Sequence, residues 1–412
     1  MQEAPGKLGG RTMQFRHVLT ALVLGLVLPT AARAEDTIKI GFPIPLSGPT
    51  AVYGQPILKG AELAVADINA KGGVLGRKLE LLPRDSKANP AEAVRLAREL
   101  IVKNGVEFLG GTLTSAEAPA VSTIAKENNI VFVAPSAKTS SLTDPAHIHP
   151  YIFRAASNTT IEGQSGAIVM SKFKDVKTVA TIAPDYAYGH DAVAAFIAKL
   201  KELRPDITIV DQQWPQLGEA NFSSFITAQM SKHPDAVFCD EFAGDFVSFV
   251  KQATPLGYFK AIDNRLVDGG EVGSVDITRT LGSAFPVGIW ANTYDPVIWD
   301  GPNQPKEDIT FDEKVEKAIG TKYGSSWAIQ GYVTIAAIAQ GIAKAGTTDS
   351  AKVAAALAGM TYQTPLGPRS FNATNHDADA GEFWGVMVMD PKYPYAVIKD
   401  PTYYNPAPPA GG

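Results

Sequence analysis

From Thr37 onward the chain alternates short apolar runs with longer stretches whose apolar residues recur at helical spacing. The first run, TIKIGFPIPL, reads as a buried strand. Ile57, Ala61, Ala64, Val65 and Ile68 then fall three and four residues apart, which predicts a helix, and Gly72-Gly73 ends it. A strand is expected over 78–82. Asn89-Pro90 supplies a cap and a first-turn proline for the next helix, which carries Val94, Ala97, Leu100 and Ile101 on its apolar side. Strands over 106–110 and 130–134 flank a Ser/Thr-rich loop and a helix over 119–128. Strand and helix alternating in this way call for parallel strands joined by right-handed crossovers.

The pattern restarts after Tyr151. Strands are expected over 178–183, 206–211 and 236–239, helices over 191–203, 222–232 and 246–256, and a short apolar LV precedes Asp268. Beyond residue 285 come GIWANTYD, an acidic helix near 311–319, Ala-rich helices over 329–345 and 350–358, and a turn-laden Tyr/Pro-rich end from Asp390. The expected fold class is α/β: two doubly wound three-layer lobes, with the late segments stitching them together. In such sheets ligands bind beyond the carboxyl ends of the strands. The corresponding loops are 47–54, 85–89, 111–115, 135–139, 185–189, 241–245 and 268–273, several of them dense in Ser, Thr, Tyr and Gly.

The first 34 residues stand apart from this pattern. Lys7, Arg11, Arg16 and His17 precede the apolar run VLTALVLGLVL, and Ala32-Arg33-Ala34 follows it. A basic start, a short apolar stretch and a small-residue end describe a secretory signal peptide, residues 1–34, cleaved near Ala34. The apolar run is shorter than the roughly 20 residues a membrane span needs. Met13 is an alternative start to Met1. Removing Lys7, Arg11, Arg16, Arg33 and Glu3 takes the formal charge from −5 to −8, which argues against nucleic acid or an anionic membrane surface as the main partner. Cys239 is the only cysteine and sits in the apolar run AVFCD, so it reads as core and no internal disulfide can form. Export without disulfides fits a bacterial periplasm.

Enzyme signatures are missing. No phosphate-cradling G-x-x-x-x-G-K-[ST] occurs, no G-x-G-x-x-G follows the first strand, and no G-x-S-x-G elbow is present. His147 and His149 share a strand-like spacing, but Asp144-Pro145 and Pro150 make the segment a surface turn, and no third ligand clusters nearby. Neither a cofactor nor a metal is expected.

The stretch IKIGFPIPLSGPTAVYGQPILKGAELAVADINAKGGVLGRKLELLPRDSKANPAEAVRLARELI closely resembles the opening of the periplasmic substrate-binding proteins of hydrophobic amino-acid ABC importers, the leucine/isoleucine/valine-binding type. The resemblance extends over about residues 36–385 and is loosest in the last third. It implies a type I periplasmic binding-protein fold: two lobes, three crossovers and a ligand between them. Residues 36–155 plus 290–363 would form one lobe, 156–289 plus 364–400 the other, and 401–412 a tail. It also implies a monomeric periplasmic receptor without enzymatic activity. Such a receptor would deliver a small-molecule carboxylate (a branched-chain or aromatic amino acid, or an aromatic acid) to ABC permease and ATPase subunits at the inner membrane.

Position by position, the resemblance assigns Tyr53 to the pocket's aromatic side wall. Thr112, Leu113 and Thr114, with Ser136 and Ala137, match the loops that hold the ligand's carboxylate and ammonium. Tyr188 matches the tyrosine that closes from the second lobe, and Trp327 another pocket aromatic. Three positions depart from the pattern. Lys138 stands where a threonine is usual, Phe242 where a tyrosine meets the ammonium, and the ammonium's acidic partner matches Glu271 across a gap. Lys138 either pairs with a ligand carboxylate or points to solvent. Losing the tyrosine hydroxyl from the ammonium side favours an acid without an α-amino group. A ligand-sensing receptor of the same fold is the alternative function. A hydrolase using Ser47 or Ser136 lacks a neighbouring base.

Overall fold

The computed structural model describes residues 1–7, 9–10, 37–299 and 304–406. The apolar run of the expected signal peptide and its cleavage point lie outside the described residues. Two mainly parallel sheets organise the rest. The first is built from β1 (Ile38–Ile44), α1 (Ala51–Ala70), β2 (Leu79–Asp85), α2 (Pro90–Val102), β3 (Phe108–Gly110), α3 (Glu117–Asn128), β4 (Phe132–Ala134) and β5 (Ile152–Arg154). Its strand order is β2-β1-β3-β4-β5, all parallel. Ile38, Ile40, Phe42 and Ile44 of β1 are fully buried and pack with Tyr53, Ile57 and Ala61 of α1. Leu109 and Phe132 pack with α2 and α3 on the opposite face, so the sheet is covered on both sides.

The second lobe begins with α4 (Thr159–Met170), β6 (Thr178–Ile182), α5 (Ala187–Leu203), β7 (Thr208–Gln213), α6 (Ser223–Met230) and β8 (Ala236–Cys239). It continues through α7 (Ala243–Ala253), the short α8 (Tyr258–Ala261), β9 (Leu266–Asp268), α9 (Val275–Leu281) and β10 (Trp290–Thr293). The chain then returns to the first lobe with α10 (Lys306–Ile319), α11 (Ala328–Ala345) and α12 (Ser350–Leu357). It crosses back through the hairpin β11 (Thr361–Thr364)–β12 (Gly367–Ser370) to β13 (Glu382–Met389) and β14 (Ala396–Tyr404). The seven-stranded sheet runs β14-β13-β10-β9-β8-β6-β7, with β13 and β14 antiparallel. Three passages join the lobes: β5 to α4, β10 to α10, and β12 to β13. Among the described residues no helix is long and apolar enough to cross a membrane.

Several expectations need correction. Residues 290–293 do not return to the first lobe, because β10 pairs with β9 and β13 in the second sheet. Residues 401–404 are not tail, because they complete β14 against β13. Helix α1 begins at Ala51 rather than 57; Gly54 lets its first turns lie on the carbonyl of Pro45, where a Cβ would come within 1.8 Å. Helix α5 begins at Ala187, which places Tyr188 in its first turn. The 144–150 segment is a surface turn with His147 exposed, but His149 is buried within it: its Nε2 lies 2.8 Å from Ser122 Oγ, and burial lowers its pKa to about 4. Where the caps are explicit the expectation holds. Asn89 accepts a hydrogen bond from the Glu92 amide, with Pro90 opening α2.

Helices α1 and α11 cross backbone to backbone. A Cβ on Gly60 would lie 1.7 Å from the Ala328 carbonyl oxygen, and one on Gly331 the same distance from that of Ile57. Neither neighbour is a flexible side chain, so the helices themselves must part. Gly331→Ala is expected to cost about 3 kcal/mol, the upper end of ordinary overpacking, read as a lower urea midpoint. An unchanged midpoint would show that the crossing can relax.

Candidate functional site

The loops at the carboxyl ends of both sheets meet, and the lobes are closed upon one another. Pro49, after β1, touches the start of α7, where a Cβ on Gly244 would come within 2.9 Å of its Cβ. The loop after β3 is shaped by a reciprocal cap. The Thr114 amide donates to Glu117 Oε2 (3.1 Å), and the Glu117 amide donates back to Thr114 Oγ1 (3.2 Å). Burial raises the Glu117 pKa although these hydrogen bonds oppose it. After β4, Ser136 Oγ donates to the Leu113 carbonyl (3.3 Å), tying the two loops together.

A cavity lies at this meeting point. Leu113, Thr114, Ser136 and Lys138 line it from the first lobe, Tyr188, Phe242 and Glu271 from the second, and Trp327 from the residue capping α11. Eight of the eleven residues singled out from the sequence are thereby brought to one place. Ser115 and Tyr186 line it as well. Both belong to loops whose Ser and Tyr content marked them, so that signal was available. The free volume is only about 20 Å³, enough for a water and far too little for a six-membered ring. Ligand entry therefore requires the lobes to part.

The other three residues do not line the cavity. Tyr53 is fully buried behind Trp327, the rings stacked at 3.9 Å, with its hydroxyl donating to the carbonyls of Gly270 (3.2 Å) and Glu271 (3.4 Å). The side wall expected of Tyr53 is formed by Trp327, which Tyr53 braces while linking the lobes. Thr112 is buried in the left-handed region (φ 64°), its amide donating to the Pro43 carbonyl. Ala137 has its carbonyl bound by Arg154 Nη1 (3.2 Å), which also takes the carbonyls of Lys138 and Thr139. Arg154 is itself fully buried and paired with Asp377 (2.8 Å), so this guanidinium, rather than a ligand, organises the loop.

The main feature the sequence reading missed surrounds Lys138. Its ammonium does not reach solvent: it is held by Glu162, Glu271 and Glu382, the last at 2.7 Å, with the Tyr294 ring 5.0 Å away. All three glutamates are buried. Ser157 Oγ (2.5 Å) and Asn292 Nδ2 (2.8 Å) donate to Glu382. Burial opposes the lysine's charge, but the surrounding carboxylates prevail and hold its pKa well above the usual value. Burial pushes Glu271 up to about 8 and Glu162 well above the usual carboxylate range, against the pull of Lys138. Glu162 lies inside α4 and Glu382 opens β13, 24 and 244 residues from Lys138. No local pattern marks either one.

Two donors at the cavity have no protein partner among the described residues: Tyr188 Oη and Trp327 Nε1. Both residues are buried. An indole N–H can only donate, and an acceptor inside the cavity that Trp327 lines would satisfy it. Phe242 stands edge-on to Tyr188 at 5.4 Å, and with Tyr186 and Trp327 it makes the surroundings aromatic. The arrangement suits a small molecule with a flat apolar body and acceptor oxygens.

Residues 37–388 match the family model for a periplasmic binding protein. The chain is 31% identical over 399 residues to a Leu/Ile/Val-binding protein homologue of Brucella suis, covering 94% of each chain. It is 28% identical over 340 residues to the leucine-, isoleucine-, valine-, threonine- and alanine-binding protein of Pseudomonas aeruginosa, covering 82% of this chain and 87% of the other. A crystal structure of an ABC-transporter solute-binding protein from R. palustris in complex with 4-hydroxybenzoate superposes with a TM-score of 0.78 at 26% identity, covering 90% of this chain and 98% of that one.

Proposed function

The chain belongs to the periplasmic binding-protein family, as a substrate-binding protein of the ABC-transporter kind, and from that premise we propose that it captures a small aromatic or hydrophobic carboxylate between its lobes and delivers it to an importer's permease. The unpartnered Tyr188 hydroxyl and Trp327 indole N–H carry this reading. One carboxylate accepts from both, and charge-assisted hydrogen bonds are the strong ones. The aromatic surroundings match a ring or branched body. Lys138 narrows the ligand further: its ammonium already fills the carboxylate trio where a ligand's ammonium would otherwise go. Acids without an α-amino group are therefore favoured over amino acids. The 4-hydroxybenzoate complex of the R. palustris protein supports this choice, while the names of the Brucella and Pseudomonas relatives support the amino-acid rival.

Binding proceeds by hinge closure of the lobes, and ATP hydrolysis belongs to separate subunits. The family is periplasmic; the mature chain is a monomer beginning near Glu35 after cleavage near Ala34, which intact-mass measurement of exported protein would check. A thermal-shift screen tests the ligand class. Benzoate and 4-hydroxybenzoate are expected to raise the melting temperature, and leucine, isoleucine and valine to leave it nearly unchanged. Strong stabilisation by leucine with none by the benzoates would sink the reading.

A further inference from the structure

Among the described residues there are two trios of buried acids whose carboxylate oxygens lie within 4.8 Å of one another. Glu162, Glu271 and Glu382 enclose the ammonium of Lys138. The second trio, Asp295, Asp308 and Asp312, lies outside the ligand cavity and has no such cation. Among the described residues none of the three aspartates makes a salt bridge. Arg369 acts on Asp295 through space without pairing with it. Asp295 is fully buried, and among the described residues its carboxylate has no side-chain hydrogen-bond partner, only the neighbouring Val297 amide; Asp308 Oδ1 and Asp312 Oδ1 have no partner among the described residues. Gln304 Nε2 binds the other oxygens of Asp308 and Asp312, at 3.0 and 3.1 Å, and so orients both side chains. Asp308 and Asp312 are one helical turn apart on α10, and Asp295 follows β10.

We propose that Asp295, Asp308 and Asp312 form a binding site for a calcium-sized divalent cation at the second passage between the lobes. Isolated buried carboxylates are too costly to keep without compensation, and among the described residues no side chain pairs with this trio as Lys138 does with the other; Arg369 acts on Asp295 only from a distance. The donors are all oxygens, the preference of a hard cation. Calcium bonds at about 2.3–2.6 Å span about 4.6–5.2 Å between opposite ligands, which accommodates the observed limit of 4.8 Å. Magnesium requires shorter bonds and keeps its waters. Asp295 leaves the second sheet while α10 packs against α1 of the first lobe, so the ion would tie a crossover strand-end to the helix it feeds.

Full-length protein treated with EDTA and then titrated with calcium chloride tests the site by thermal melting. A rise of about 5 °C is expected at a hundredfold excess over the dissociation constant, with a smaller rise from magnesium. Asp295→Asn should abolish the calcium response. Without added cation this variant should melt no lower than the wild type, since it removes one of three mutually repelling carboxyls, and its response to 4-hydroxybenzoate should persist. Absence of a calcium shift in the wild type, or its retention in Asp295→Asn, would overturn the site. A magnesium shift equal to calcium's would overturn the assignment of ion size. The calcium and magnesium shifts, unlike the 4-hydroxybenzoate control, do not depend on the ligand class proposed for the cavity.

Discussion

Lys138→Met is expected to be the most damaging single substitution at the site, lowering stability by about 3–5 kcal/mol at pH 8. Lys138 is the one ammonium among Glu162, Glu271 and Glu382, and methionine fills much of its volume without its charge. Removing one partner from a buried ion pair leaves the other charge uncompensated, which costs far more than a surface pair would. The pH dependence distinguishes this mechanism from simple misfit. Burial raises Glu271 to about 8 in the folded wild type, above its ordinary 4.5. The folded state therefore holds that proton more tightly than the unfolded chain. Its stabilising contribution is complete below about pH 4.5 and is lost as pH rises through about 8. Without Lys138 all three carboxyls should protonate still more readily, so the penalty at pH 8 should shrink markedly by pH 5. Urea midpoints of both proteins at the two pH values provide the measurement. A loss of the same size at both would point to packing rather than charge.

Trp327→Ala should abolish measurable ligand binding or weaken it 100-fold or more. The substitution removes both the aromatic wall that Tyr53 braces from behind and the unpartnered Nε1 donor. A hydrogen bond to a charged acceptor contributes about 1.5–3 kcal/mol, and loss of the ring surface adds to it. Trp327→Phe separates the two effects: it keeps a ring against Tyr53 and deletes the N–H, with an expected loss of roughly tenfold, about 1.4 kcal/mol. Calorimetric titration with 4-hydroxybenzoate, alongside melts confirming that each variant folds, reads both numbers. Unchanged affinity in Trp327→Phe would remove the indole from the set of ligand donors.

The two substitutions divide along the line between what sequence reveals and what it hides. Trp327, Tyr188, Phe242 and Ser136 were legible because each sits at an element end or in a strand-end loop, and because they fall at corresponding positions in a recognisable family. Tyr53 was legible for the same reason but misassigned, since a one-dimensional match cannot say which of two stacked rings faces the cavity. Ala137 failed differently: its backbone carbonyl is engaged by Arg154, 17 residues along the chain.

Alternation of apolar runs and helical periods by itself determined an α/β chain of two doubly wound lobes, because burying both faces of a parallel sheet imposes that pattern locally. It also determined which loops end at the crevice, since these follow each strand in order. Tertiary structure alone decided the charge state of the site. A buried carboxylate is governed by what lies within a few ångströms, and Glu162, Glu271 and Glu382 come from an α-helix, a strand-end loop and a strand start far apart in sequence. Lys138 read alone permitted a ligand partner or a solvent-facing lysine; enclosed by those three carboxylates it is an internal cation.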